Sequence, residues 1–261
     1  MVLSSNGRHA RRGWCRAFGR LWQCMKLIMF DIDGTLTQSN DLDDAAFLRA
    51  LSDVFGLPGI SDDWDGYTHV SDSCIVREAC QAGIGRAPRP DEVETFRRRF
   101  VELLVESARK VGGIRQVAGA RAMLKQLRDS GSYAVAYAGG GWAASALFKL
   151  RSAGLPVEGI PWAFSDDHES REQIMELAHA RAEVAYGRVL RGIVYVGDGV
   201  WDVRSARRCG YAFVGVGKGG QAEALSRAGA DRIVTDYLDI GAFLAAVEIS
   251  AEQRARADGR V

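Results

Sequence analysis

The stretch Leu27-Ile28-Met29-Phe30-Asp31-Ile32-Asp33-Gly34-Thr35-Leu36-Thr37 decides the fold. An apolar run of buried-strand length delivers two aspartates, one residue apart, at its end, and Gly34 stops the strand. Successive strand residues point to opposite faces, so Asp31 and Asp33 share a side while Ile32 faces away. Two carboxylates this close repel unless a cation or a shared proton relieves them. A hard cation such as Mg²⁺ takes oxygen ligands, so the arrangement favours a metal and a phosphate group.

Downstream, Val194-Tyr195-Val196-Gly197-Asp198-Gly199-Val200-Trp201-Asp202 repeats the device: a buried strand ending in a carboxylate flanked by glycines. Between and after these two stretches the pattern alternates. Strands are predicted at 133–138, 162–164, 193–196 and 212–216, and helices at 118–130, 142–152, 170–185, 202–209 and 222–228. Such alternation means an α/β fold, a parallel sheet with helices on both faces. Ligands of such sheets bind beyond the carboxyl ends of the strands. Asp31, Asp33, the Gly139-Gly140-Gly141 triplet and Asp198 all fall there.

The segment Asp31–Thr37 resembles motif I of the haloacid dehalogenase superfamily in its phosphotransferase form, Asp-x-Asp-Gly-Thr-Leu/Val-Thr. The segment Gly197–Asp202 resembles motif IV, Gly-Asp-(Gly)-x-x-Asp. The resemblance covers residues 25 to about 245 and implies a Rossmannoid core of 25–40 and 113–246. The helical insert 41–112 falls where that family carries its C1-type cap. It also implies that Asp31 is the nucleophile that accepts the phosphoryl group, and that Asp33 protonates the leaving oxygen and later activates water. Asp31, Asp198 and the backbone carbonyl of Asp33 would ligate Mg²⁺, with Asp202 behind them. Arg171 is the choice for motif III, the cation that binds the phosphoryl oxygens.

Motif II departs from the family. An apolar strand should end in Thr or Ser, whose hydroxyl and following amides hold the phosphate. Here the hydroxyl position is Gly139, followed by Gly140. A glycine keeps the amides but loses a hydrogen bond to charge, worth roughly 1.5–3 kcal/mol. The expectation is that Gly139→Thr restores about tenfold in rate, unless the backbone needs glycine there or substrate packs against it.

Within the insert, helices are predicted at 41–55, 72–82 and 90–110. The loop Tyr67-Thr68-His69-Val70-Ser71-Asp72 supplies Tyr67, His69 and Ser71 as candidate substrate contacts. Gly215-Val216-Gly217-Lys218-Gly219-Gly220 lacks the Walker spacing and reads as a glycine-rich loop after a strand.

Residues 1–24 carry Arg8, Arg11, Arg12, Arg16 and Arg20 and no acidic residue. A basic amphipathic helix is one reading of this extension. A floppy extension, or a start codon placed too early before Met25-Lys26, is the plainer one. Residues 247–261 read as a polar tail. The net charge of +1 gives no overall reason to propose a nucleic-acid partner. No apolar run approaches the roughly 20 residues that span a bilayer. Five cysteines without a C-x-x-C pair point to a reduced, cytoplasmic protein.

The activity implied is hydrolysis of a small phosphorylated metabolite, a phosphoric monoester, with Mg²⁺ as cofactor, by a monomer or homodimer. Asp33 argues against dehalogenation, because dehalogenases lack that acid/base. A phosphomutase of the β-phosphoglucomutase type shares these motifs. Gly139 raises a third reading, a weakly active or inactive phosphate-binding regulatory protein on the same scaffold.

Overall fold

A computed structural model of the chain describes residues 25–230, 232–257 and 259. The readings made for residues 1–24 lie outside the described residues. In chain order the elements are β1 (Lys26–Phe30), β2 (Thr37–Gln38), α1 (Asn40–Phe55), α2 (Asp72–Ile84), α3 (Pro90–Lys110) and β3 (Arg115–Gln116). There follow α4 (Ala120–Asp129), β4 (Tyr133–Ala138), α5 (Ala143–Ser152), β5 (Trp162–Ala163), α6 (Arg171–Tyr186) and β6 (Arg191–Gly197). The chain continues through α7 (Val200–Arg208), β7 (Ala212–Val216), α8 (Gly220–Ala228), β8 (Ile233–Val234) and α9 (Ile240–Ala257).

Six strands form one parallel sheet in the order β5-β4-β1-β6-β7-β8. The first strand in sequence is therefore central. Phe30 pairs with Tyr137 of β4 and Val196 of β6. This register brings the ends of β1, β4 and β6 together, and Asp31, Gly139 and Asp198 follow them.

The strand residues divide by parity, as a sheet covered on both faces requires. Ile28, Phe30, Val135, Tyr137, Val194 and Val196 face α4, α5 and α9. Leu27, Met29, Ala134, Ala136 and Tyr195 face α6, α7 and α8. Ile32 continues the first set and is buried with Leu36, the inward turn expected of the residue between the two aspartates.

The short strands β2 and β3 pair antiparallel, Thr37 with Gln116 and Gln38 with Arg115. They are the two connections to the helical insert, side by side. Pro90 opens α3 where its missing N–H costs nothing, and the Glu92 carboxylate accepts the Arg89 N–H at 2.8 Å. The insert has its own core of Phe47, Leu51, Ile75, Val76, Cys80, Phe96, Phe100 and Leu104. Trp142, from the core loop that enters α5, is buried in that cluster. Its ring centroid lies 5.6 Å from Phe96 and 6.4 Å from Phe47.

The C-terminal end differs from the sequence reading. Helix α9 runs on to Ala257, so residues 247–257 are helix rather than a polar tail. Val247 and Ala251 are buried, and Glu248 binds Lys26 and accepts the Tyr133 hydroxyl at 2.8 Å. Among the described residues no helix is long and apolar enough to cross a membrane.

Phe47 touches the rings of Trp64, Phe96, Phe100 and Trp142, so it joins the insert's core to the tryptophan of the sheet domain. Phe47→Ala should destabilise the protein by about 3–5 kcal/mol, the range for deleting a buried aromatic ring. Urea unfolding measures it, and a change below about 1 kcal/mol would mean the insert does not unfold with the core.

Candidate active site

Asp31 leaves the end of β1 with its N–H on the Val196 carbonyl at 3.0 Å, which fixes its position to the neighbouring strand. Its carboxylate is nearly buried and lies 3.5 Å from Arg171 Nη2. Burial, then the charges of Asp202, Asp198 and Asp33, push its pKa well above the usual range, with Arg171 acting in the opposite direction. Asp33 is held from both sides. Ser39 Oγ donates to Oδ1 at 2.5 Å and Lys149 Nζ to Oδ2 at 2.5 Å.

Asp198 follows Gly197 at the end of β6 and accepts from Gln221 Nε2 at 2.9 Å and Asn40 Nδ2 at 3.3 Å. Both donors are neutral, so its charge stays uncompensated, and burial raises its pKa to about 7. Gly34 allows this approach. It has φ of 64°, and a Cβ there would lie 1.9 Å from Asp198 Oδ2. Asp202 sits in the first turn of α7 and is fully buried. One of its oxygens accepts the Gly199 N–H at 3.0 Å, and the other binds Arg171 Nη2.

Arg171 is the first residue of α6, and the Ser170 side chain caps that helix on the Gln173 N–H. The guanidinium donates to the Val70 carbonyl at 3.0 Å and to the Tyr195 hydroxyl at 3.3 Å. Its Nε is buried without a partner. Buried donors left unpaired are uncommon. The guanidinium borders the cavity beside Asp31, where an anion could be received.

These groups line one cavity of ≈ 110 Å³ at the sheet edge, between the sheet domain and the insert. Asp31, Asp33, Asp198, Arg171, Gly140 and Ser71 border it. Ser71 Oγ donates to the Glu169 carbonyl at 2.6 Å. Tyr67 and His69 are not part of the lining: Tyr67 packs on Trp64, and His69 faces Glu172 at 4.0 Å. The Gly140 carbonyl accepts the Asp72 N–H at 2.8 Å, which seats the insert on the motif II loop.

Gly139 has a reason other than a lost hydroxyl. A Cβ there would meet Asp31 Oδ1 at 2.6 Å, and its φ lies outside the left-handed region. Glycine leaves room for the nucleophile's carboxylate; backbone strain is not involved. This crowding favours a loss on substitution by threonine over the tenfold gain expected from a restored hydroxyl.

Sequence reasoning missed Lys149. It lies on α5 between Ala146 and Leu150, on the buried stripe of the helix, and is wholly buried. Besides Asp33 it binds Asp43 Oδ1 at 2.8 Å. Burial opposes its charge, but Asp33 and Asp43 outweigh burial and raise its pKa. The signal was present: a lysine three residues after a core alanine and next to a core leucine.

A metal fits the donor set. Oxygens of Asp31, Asp198 and Asp202 lie within 4.8 Å of one another, all buried. Oxygen-only ligands of high charge suit a hard divalent ion. With Asp202 already engaged by Arg171 and Gly199, Asp31 and Asp198 are the carboxylates left to hold it.

The family model for haloacid dehalogenase-like hydrolases matches residues 25–210. The chain belongs to that family. Among solved structures it is similar to a hydrolase from Pseudomonas syringae, 22% identical over 85% of this chain and 98% of that one, with a TM-score of 0.65. A β-phosphoglucomutase candidate from Bacteroides vulgatus superposes at TM-score 0.64, with 13% identity over 92% and 96% of the two chains. A phosphoglycolate phosphatase candidate from Haemophilus somnus gives 0.55, with 23% identity over 86% and 99%. At these identities the likeness is one of fold. A comparison with curated proteins finds no match.

Two predictions follow from the crowding at Asp31 and Asp198. Gly139→Thr should lower kcat by about a hundredfold, the effect of displacing a reacting group by about 1 Å, with little change in melting temperature. A rate at or above wild type would show that Asp31 has room to spare. The second concerns pH. Metal-free, Asp198 and Asp72 hold their protons to about 7 and about 8, because burial disfavours their charge. In the unfolded chain they lose them near pH 4. Between those limits the folded state binds more protons, so its stability falls as pH rises. Mg²⁺ should therefore raise the melting temperature over EDTA more at about pH 8 than at about pH 5. Equal gains in scanning fluorimetry would mean the ion binds elsewhere.

Proposed function

We propose that this protein hydrolyses a small phosphate monoester with Mg²⁺, through an aspartyl phosphate on Asp31. The observation that carries the reading is the meeting of Asp31, Asp33, Asp198 and Arg171 in one cavity at the ends of β1 and β6. Asp31 and Asp198 would hold the ion with the Asp33 carbonyl. When bound, it supplies positive charge that offsets the carboxylates and polarises the phosphoryl group.

The residues divide the work. An Asp31 oxygen attacks phosphorus, and the P–O bond to the leaving group breaks as the new one forms. Asp33 gives its proton to the departing oxygen, releasing an alcohol. A water then attacks the aspartyl phosphate while Asp33 takes its proton, which regenerates Asp31 and leaves inorganic phosphate. Arg171, with its unpartnered Nε, binds phosphoryl oxygens in both steps. Asp202 holds Arg171 in that position and caps α7. The insert excludes bulk water, which strengthens each of these interactions.

The regulatory reading rested on Gly139. Mg²⁺-dependent turnover of an aryl phosphate separates that reading from the hydrolase one.

Asp31→Asn should lower turnover of an aryl phosphate by at least about 10³-fold while the protein stays folded by circular dichroism. Acid quenching during turnover should trap covalent phosphate on the wild type and none on the variant. Label retained by the variant would move the nucleophile to another residue.

A further inference from the structure

We propose that the substrate's leaving group carries a positive charge or hydroxyl donors and no anionic group besides the phosphate. This rests on the hydrolase reading above and concerns the far half of the same cavity. The anionic end is marked by Arg171, whose buried Nε lacks a partner. Arg171 is the one basic residue among those described that line the cavity. The leaving group must lie on the other side, next to Asp33, because Asp33 gives its oxygen a proton.

That side is walled by carboxylates. Asp43, Asp44 and Asp72 border the cavity beside Phe47 and Trp64. Lys149 is close, but it is wholly buried behind the wall and committed to Asp33 and Asp43 at 2.5 and 2.8 Å. One enclosed cation thus faces four carboxylates. Asp72 Oδ2 accepts the Trp142 N–H and Asp44 Oδ1 accepts the Trp64 indole N–H, which holds one oxygen of each in place at the cavity wall. Burial raises the pKa of Asp44 to about 6 and of Asp72 to about 8, so near pH 7 Asp44 carries charge and accepts a donor while Asp72 is a neutral carboxyl. An ammonium supplies one, and the faces of Trp64 and Phe47 favour a cation further. A second carboxylate or phosphate would meet like charge with no free cation to receive it.

The same wall works against a phosphomutase, whose intermediate is a bisphosphate.

The test is a kcat/KM series on the full chain with Mg²⁺. It uses p-nitrophenyl phosphate as reference, then ethanolamine phosphate, glycerol 3-phosphate, glycolate phosphate and a hexose bisphosphate. Relative to the reference, ethanolamine phosphate should lead, and the two esters with a second anion should trail it by at least about a hundredfold. In Asp44→Asn the ratio of ethanolamine phosphate to glycolate phosphate should fall at least about tenfold. A glycolate or bisphosphate ester matching the ammonium ester overturns the inference while leaving the hydrolase reading intact. Absence of turnover on every ester, the aryl phosphate included, overturns both.

Discussion

Too many carboxylates meet at the end of this sheet for the number of buried cations. The parallel register draws Asp31 and Asp198 to one point because β4 and β6 flank β1. Asp33, Asp43, Asp72 and Asp202 crowd in from the loops and helices around them. Arg171 and Lys149 are the two buried cations set among them. Each divides its charge between two carboxylates: Arg171 between Asp31 and Asp202, Lys149 between Asp33 and Asp43. Buried ion pairs of this kind seldom add net stability, because desolvation offsets the attraction. Their effect here is geometric. They hold Asp31 and Asp33 in separate, fixed positions and leave Asp198 without a cation of its own.

The same bonds seat the insert on the sheet domain. Lys149 lies on α5 of the core and Asp43 on α1 of the insert, so Asp33 is tied to both bodies through one ammonium. Asp72, at the start of α2, binds the Gly140 carbonyl and the Trp142 N–H. Trp142 in turn inserts its ring among Phe47 and Phe96. Ser73 and Ser165 share a hydroxyl contact at 2.6 Å. The insert therefore rests on the motif II loop rather than merely above it.

Much of this was legible in the sequence because it is local. A strand ending in Asp-x-Asp-Gly or Gly-Asp-Gly states its own geometry, and α3 announced both ends with Pro90 and Lys110. The two-residue strands β2 and β3 carry no periodicity to read. The end of α9 was missed because its exposed arginines and glutamates look like a tail; only packing reveals that Val247 and Ala251 face the sheet. Lys149 and Asp43 are 106 residues apart, and only the fold brings them together. Tyr67 and His69 attracted notice by chemical variety, yet the wall of the cavity is built from plain aspartates and aromatic rings.

Gly139 shows how a departure from pattern is resolved by space. Read as a missing hydroxyl, it suggests a weakened phosphate site. In three dimensions it adjoins the Asp31 carboxylate, and a Cβ there would come within 2.6 Å of Oδ1. Its N–H is turned to the Ala163 carbonyl of β5 at 3.4 Å, so this residue serves the sheet and makes room for Asp31. The charged donor beside that carboxylate is Arg171, enclosed and oriented by Asp202 and Tyr195, with Nη2 3.5 Å from Asp31.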